Sequence, residues 1–179
     1  MADAEDSKSS YRKVVGVQVP YPAPMIDNVR FDSIGNEELL KLPKVAFLSS
    51  RASDPESLAK VRAWAESLPT KTCVISGFKS EPEFEVFKIL AKRRNPLIWV
   101  IARGIYEELP WEYRKLVDAG RLLVLSPFGQ DQGRSTRDFA TLRNHLVVQM
   151  ADSVVVGKVS AGGMLEQIIA GLTNITHLS

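Results

Sequence analysis

VAFLSSRASDPESLAKVRAWAESLPTKTCVISG, residues 45–77, is the stretch that decides the fold. Residues 45–49 are apolar up to a closing serine and read as a buried strand. Leu58, Val61, Ala65 and Leu68 then recur at helical spacing across 54–68, and 72–76 returns to a short apolar strand. Strand, helix and strand, with no polar alternation inside the strands, is the repeating unit of a parallel sheet covered on both faces.

The same alternation continues toward the C-terminus. Ser80 is placed as an N-cap, with Pro82 in the first turn, Glu83 at the third helical position, and Phe84, Phe87 and Ala91 along the helix. Residues 97–102 form a third strand and 111–119 a third helix, closed by Gly120 as a C-terminal glycine cap. A strand at 121–126 and a polar loop lead to Ser135 as the next N-cap. The helix it opens carries Phe139, Leu142, Leu146 and Met150 on its apolar face. Residues 153–159 form a further strand, Gly162 and Gly163 open a last helix, and 174–178 closes as a strand. Upstream, 13–19 reads as a separate N-terminal strand and 26–44 as a mixed lead-in with a short helix at 36–41. The expected organisation is a disordered tail at 1–10, a strand and lead-in at 11–43, and an α/β domain at 44–179. Its class is a doubly wound, Rossmann-like three-layer sandwich with a mostly parallel sheet.

Composition narrows the function classes. With 179 residues, 45% of them hydrophobic, the chain can bury one continuous core. Its formal charge of +2 gives no global field toward nucleic acid or an anionic membrane, so any phosphate binding has to be local. One cysteine, Cys73 in an apolar run, supports neither a disulfide framework nor a cysteine metal site. No run approaches the length of a membrane span, and the N-terminus lacks a signal-peptide pattern, so no membrane partner and a cytoplasmic location are expected.

In an open parallel sheet, ligands bind outside the carboxyl ends of the strands. The loops there are Ser49-Ser50-Arg51, Ser76-Gly77, Ala102-Arg103-Gly104, Ser126-Pro127-Phe128 and Ser160-Ala161-Gly162-Gly163. Small residues admit close backbone approach, helix N-termini favour anions, and an arginine fork matches a phosphate. Taken singly, each loop is more simply an ordinary cap or turn, and it is their recurrence along the sheet edge that points to a pocket. Arg143 and Asn144 lie on the helix after the long polar loop, where Arg143 either serves the pocket or pairs with a carboxylate such as Asp152. Glu83 and Glu166 are the acids near the pocket, explained most simply by solvation or helix-dipole pairing. The loop 129–136 reads as a lid that brings Arg134 or Arg137 to the ligand, or as a plain solvated loop. Neither a catalytic triad, a Walker loop nor a complete G-x-G-x-x-G is present, and no histidine sits at metal-ligand spacing, so no metal and no cofactor are expected. A non-catalytic binding module is the leading reading.

VAFLSSR at 45–51, VISG at 74–77 and LRNHLVVQMADSVVVGKVSAGG at 142–163 together resemble the DNA-processing protein A (DprA/Smf) family. The resemblance implies a Rossmann-like nucleotide-binding domain that holds a nucleotide or single-stranded DNA, with a homodimer and a recombination protein as partners. By position, Ser50 and Arg51 match the family's G-S-R turn, Ser76 and Gly77 its S-G turn, and Arg143 and Asn144 its arginine and asparagine. Ser49 stands where the family has glycine, and Phe87 where it has histidine. The phosphate-holding set expected on these grounds is Ser49, Ser50, Arg51, Ser76, Gly77, Arg103, Gly104, Arg143, Asn144, Gly162 and Gly163. The runner-up is similarity to the Lonely Guy family of nucleoside monophosphate phosphoribohydrolases, from Gly162-Gly163-Met164-Leu165-Glu166. That motif lacks the family's G-T step and has a shorter spacing.

Overall fold

In the computed structural model, residues 12–16, 29–51, 54–129 and 131–178 are described; the tail expected at 1–10 lies outside them. Two strands, β1 (Arg12–Gly16) and β2 (Arg30–Gly35), precede a 3-10 helix at Glu37–Lys41. The alternation then runs β3 (Lys44–Leu48), α1 (Pro55–Ser67), β4 (Cys73–Ser76), α2 (Glu81–Lys92), β5 (Leu97–Val100), α3 (Trp111–Asp118) and β6 (Leu122–Ser126). It finishes with α4 (Arg137–Gln149), β7 (Ser153–Val156), α5 (Met164–Ile169) and β8 (Ile175–His177).

The eight strands among the described residues form one sheet in the order β1-β2-β6-β5-β4-β3-β7-β8. From β6 to β8 every neighbouring pair is parallel, while β2 joins β6 and β1 joins β2 antiparallel. The chain winds from β3 outward to β6, then returns through α4 to β7 on the other side of β3. The strand order therefore reverses between β3 and β7, which is where an open sheet leaves a crevice.

Each central strand sends alternate side chains into two cores. Phe47 and Val74 pack with Val61 and Ala65 of α1, with Val86 and Leu90 of α2, and with Val117 of α3. Ala46, Leu48 and Ile75 face the opposite way, against Leu146 and Val147 of α4 and Leu165 of α5. Both faces are thus covered, the condition under which strands read as unbroken apolar runs. Ser80 caps α2 in a complete capping box with Glu83, and Gly120 takes φ +68 after α3, as their sequence positions imply.

Three local expectations are corrected. The N-terminal strand is not separate: β1 pairs with β2, which lies inside the stretch read as a mixed lead-in. Phe31 and Ser33 of β2 are buried although Arg30 and Asp32 interrupt the apolar pattern. The cap of α4 is Thr136, whose hydroxyl accepts from the Phe139 N–H at 3.1 Å, and not Ser135. The buried face of α4 is also rotated. Arg143, Leu146, Val147 and Met150 point inward, whereas Leu142 is 37% exposed.

Candidate functional site

A cleft of about 870 Å³ opens at the carboxyl edge of the parallel strands, walled by the loops after β3, β4, β5 and β7 and by the first turns of α4. Of the residues expected there, Ser49, Ser50, Arg51, Gly77, Arg103, Arg143 and Asn144 line it. Four do not. Ser76 is fully buried beneath the turn, where its hydroxyl accepts from the Phe78 N–H at 3.2 Å. Gly104 is spent on the polar loop, its N–H donating to the Gln132 carbonyl at 2.7 Å. Gly163 is the N-cap of α5, and the Gly162 N–H donates to the Glu166 carboxylate at 2.7 Å.

The walls are tied to one another by short polar bonds. Ser50 donates its N–H to the Lys158 carbonyl at 2.8 Å, and its hydroxyl accepts from the Ser160 N–H at 3.0 Å, so the loops on either side of the crevice hold one shape. Lys158 also reaches Asp54, the N-cap of α1, at 2.7 Å. That contact is the main reason the Asp54 carboxyl is held well below the usual carboxylate range, with the Ser57 N–H adding to it. Glu83 joins β3 to β4 from below. Its carboxylate accepts from the N–H groups of Ser49 at 3.2 Å, Lys79 at 2.8 Å and Ser80 at 3.1 Å. It is 4% exposed, so it is an organising group buried under the loops, neither a solvated acid nor a simple dipole partner.

Arg143 lies at the floor of the cleft, only 5% exposed, with its guanidinium packed on the backbone of Gly77. The alternative partner Asp152 is elsewhere, exposed and accepting from the Lys44 N–H at 2.7 Å. Burial pushes the Arg143 guanidinium below the usual arginine range; the Glu83 carboxylate opposes that shift and the Arg51 charge adds to it. Its Nε is buried with no hydrogen-bond partner among the described residues, as is the Nε of Arg103. Leaving a buried charged donor unsatisfied costs free energy, which an anion in the cleft would offset.

Sequence reasoning missed Lys79, Trp99 and Tyr106 among the lining groups, whereas Arg137 is one of the two arginines expected to reach the ligand with the 129–136 loop. Lys79 and Arg137 add to Arg51, Arg103 and Arg143, so five cations face one carboxylate, Glu83, among the described lining residues. This local concentration was hidden inside a nearly neutral chain. Trp99 and Tyr106 form an aromatic side wall: the Trp99 indole donates to the Gly77 carbonyl at 3.0 Å, and Arg103 lies over the Tyr106 ring at 4.6 Å. An aromatic one residue from the end of a parallel strand was the available signal for Trp99. Arg137 lines the cleft and Arg134 does not.

Comparison with known proteins supplies relatives. The chain is 26% identical over 135 residues, 73% of its length, to DNA processing protein DprA of Streptococcus pneumoniae, of which it spans 48%. The crystal structure of DNA processing protein A from that organism superposes with a TM-score of 0.68 at 21% identity, covering 83% of this chain and 54% of the other. DNA processing protein A from Helicobacter pylori, whose structure was described for its single-stranded DNA binding mode, gives a TM-score of 0.73 at 16% identity over 95% of this chain and 81% of the other. No protein-family model matches. The chain spans about half the length of the curated relative it matches. In sequence the chain is similar to DNA processing protein DprA of S. pneumoniae, and its fold is that of the DNA processing protein A structures.

Proposed function

We propose that the chain binds single-stranded DNA through its phosphates in the cleft, without catalysing a reaction there, and that residues 44–179 are the domain that does so. Arg143 carries the reading: a buried guanidinium with an unsatisfied Nε, at the floor of a cleft where cations outnumber carboxylates. Arg51 and Arg103 supply further charge, and Ser50 and Asn144 supply polar contacts at the walls. The relation to DNA processing protein A, and the single-stranded DNA binding described for the H. pylori protein, support the choice of ligand. A homodimer, a recombination protein as partner and a cytoplasmic site of action go with this reading on the resemblance alone.

Hydrolysis of a nucleoside monophosphate is disfavoured by the carboxylates. Glu83 is occupied by three backbone N–H groups, and Glu166 folds back on Gly162 outside the cleft lining. The direct experiment is fluorescence anisotropy with a labelled oligothymidylate and a duplex of equal length. The single strand is expected to bind more tightly, and Arg143→Ala to weaken it at least tenfold. Equal affinity for the duplex, or full affinity in the variant, overturns the reading.

A further inference from the structure

Beside the cleft, between α2 and α3, runs a groove of about 650 Å³ that the binding reading above does not use. It shares Phe78, Lys79, Ser80, Trp99 and Tyr106 with the cleft, so the two are continuous. Its walls are aromatic. Trp99 stands 5.0 Å from Tyr113 and 6.1 Å from Tyr106 between ring centroids, and Phe84 lies parallel to Phe87 at 6.2 Å. Buried Phe87 sits behind these rings, edge-on to Tyr113 at 5.5 Å and to Phe78 at 5.0 Å. The rings are therefore set by packing, while Phe84 remains 42% exposed.

The charges differ from those of the cleft. Lys79 and Lys88 in the groove are matched by Glu81 and Glu85, and Glu85 is itself paired with Lys88 and Arg62. A balanced, aromatic surface does not attract phosphate, but it suits an uncharged π-face. At the junction, Phe78 holds φ +43, a left-handed conformation that is costly for a bulky residue and is retained only where its surroundings enforce it. Its ring thereby packs against Phe87 where the two cavities meet.

We infer that this groove is a base-stacking subsite: bases of a single strand whose phosphates lie in the cleft stack on Phe84, Trp99, Tyr106 and Tyr113. The inference rests on the cleft reading for the phosphates and adds where the bases go. Pre-packed rings lose little freedom on binding, and stacking accepts every base, so the subsite adds affinity without sequence preference. It also lengthens the footprint beyond the nucleotides that the cleft alone can hold.

The test uses the whole chain and a 15-residue oligothymidylate carrying single 5-iodouracil substitutions. Photocrosslinking should give adducts on Phe84, Trp99, Tyr106 or Tyr113. Phe84→Ala, at an exposed position that leaves the fold intact, should weaken the 15-mer about tenfold with an unchanged salt slope, because no phosphate contact is lost. Phe84→Trp should restore the affinity. Full affinity in Phe84→Ala with adducts elsewhere, while Arg51→Ala still weakens binding, overturns the groove and leaves the cleft standing. Absence of oligonucleotide binding by the wild-type chain overturns both. A proline-rich peptide bound with the same dependence on Phe84, and oligonucleotide binding indifferent to it, would assign the groove to a protein partner instead.

Discussion

The guanidinium of Arg143 occupies the space in which any side chain at position 77 would begin: a Cβ built on Gly77 falls 1.6 Å from its Nη1 and 2.2 Å from its Cζ. Gly77 is thus required by close approach. Gly77→Ala should displace the guanidinium, costing about 1–3 kcal/mol of stability as overpacking does. It should also weaken oligonucleotide binding as far as Arg143→Ala does. Urea unfolding and anisotropy on the two variants check this; a Gly77→Ala chain with native affinity would show that the Arg143 position is not needed.

Glu83 separates structure from catalysis. Removing its carboxylate leaves the Ser49, Lys79 and Ser80 N–H groups without their acceptor and the Arg143 charge without its offset. Glu83→Ala should therefore lower stability by about 3 kcal/mol or more, since each buried unsatisfied donor costs about 1–3 kcal/mol. Equilibrium unfolding measures it. A variant as stable as wild type would contradict the organising role.

Asp54 and Lys158 give the crevice a pH dependence. The carboxyl is held below its ordinary value of 3.8, first by Lys158, so the stabilisation is fully present above the unfolded value and is lost as the pH falls through the folded one. Lys158→Met should be less stable than wild type above about pH 5, and the gap should narrow as the pH falls below about 3 and close only once it passes the folded value. Thermal unfolding across that range tests the sign; a gap that stays constant with pH contradicts it.

Cys73 is fully buried, and desolvation pushes its thiol up to about 12. Thiolate is the reactive form, so iodoacetamide at about pH 8 should leave the native protein unmodified and alkylate it in urea. Mass spectrometry reads the outcome directly, and rapid alkylation of the folded chain would mean that β4 opens to solvent.

The central sheet was legible because its strands are buried on both faces and bounded by strong caps, as at Ser80 and Gly120. β2 was not, because Arg30, Asp32 and Ser33 dilute the apolar signal of a strand whose place is set by pairing with β1 and β6. Ser49 to Arg51 were legible as the small and cationic residues that close a buried strand, and seven of the eleven expected residues line the cleft. Arg143 shows the limit of periodicity. The expected stripe through Phe139, Leu142, Leu146 and Met150 and the buried one differ by a small rotation: Leu146 and Met150 belong to both, while Arg143 and Val147 turn inward in place of Leu142, with the Arg143 guanidinium against Gly77 and near the Glu83 charge. The aromatic groove escaped for a similar reason, since Phe84, Trp99 and Tyr113 come from three elements and meet only in the fold.

The most direct test of the phosphate-binding account is the salt dependence of oligothymidylate affinity in wild type and in the Arg51→Ala, Arg143→Ala double variant. Each phosphate contact to a single strand contributes about 0.7 to the slope of log affinity against log salt, so removing two should flatten that slope by about 1.4 as well as weaken binding. A double variant that keeps the wild-type slope and affinity would contradict the assignment of these two arginines to the phosphates.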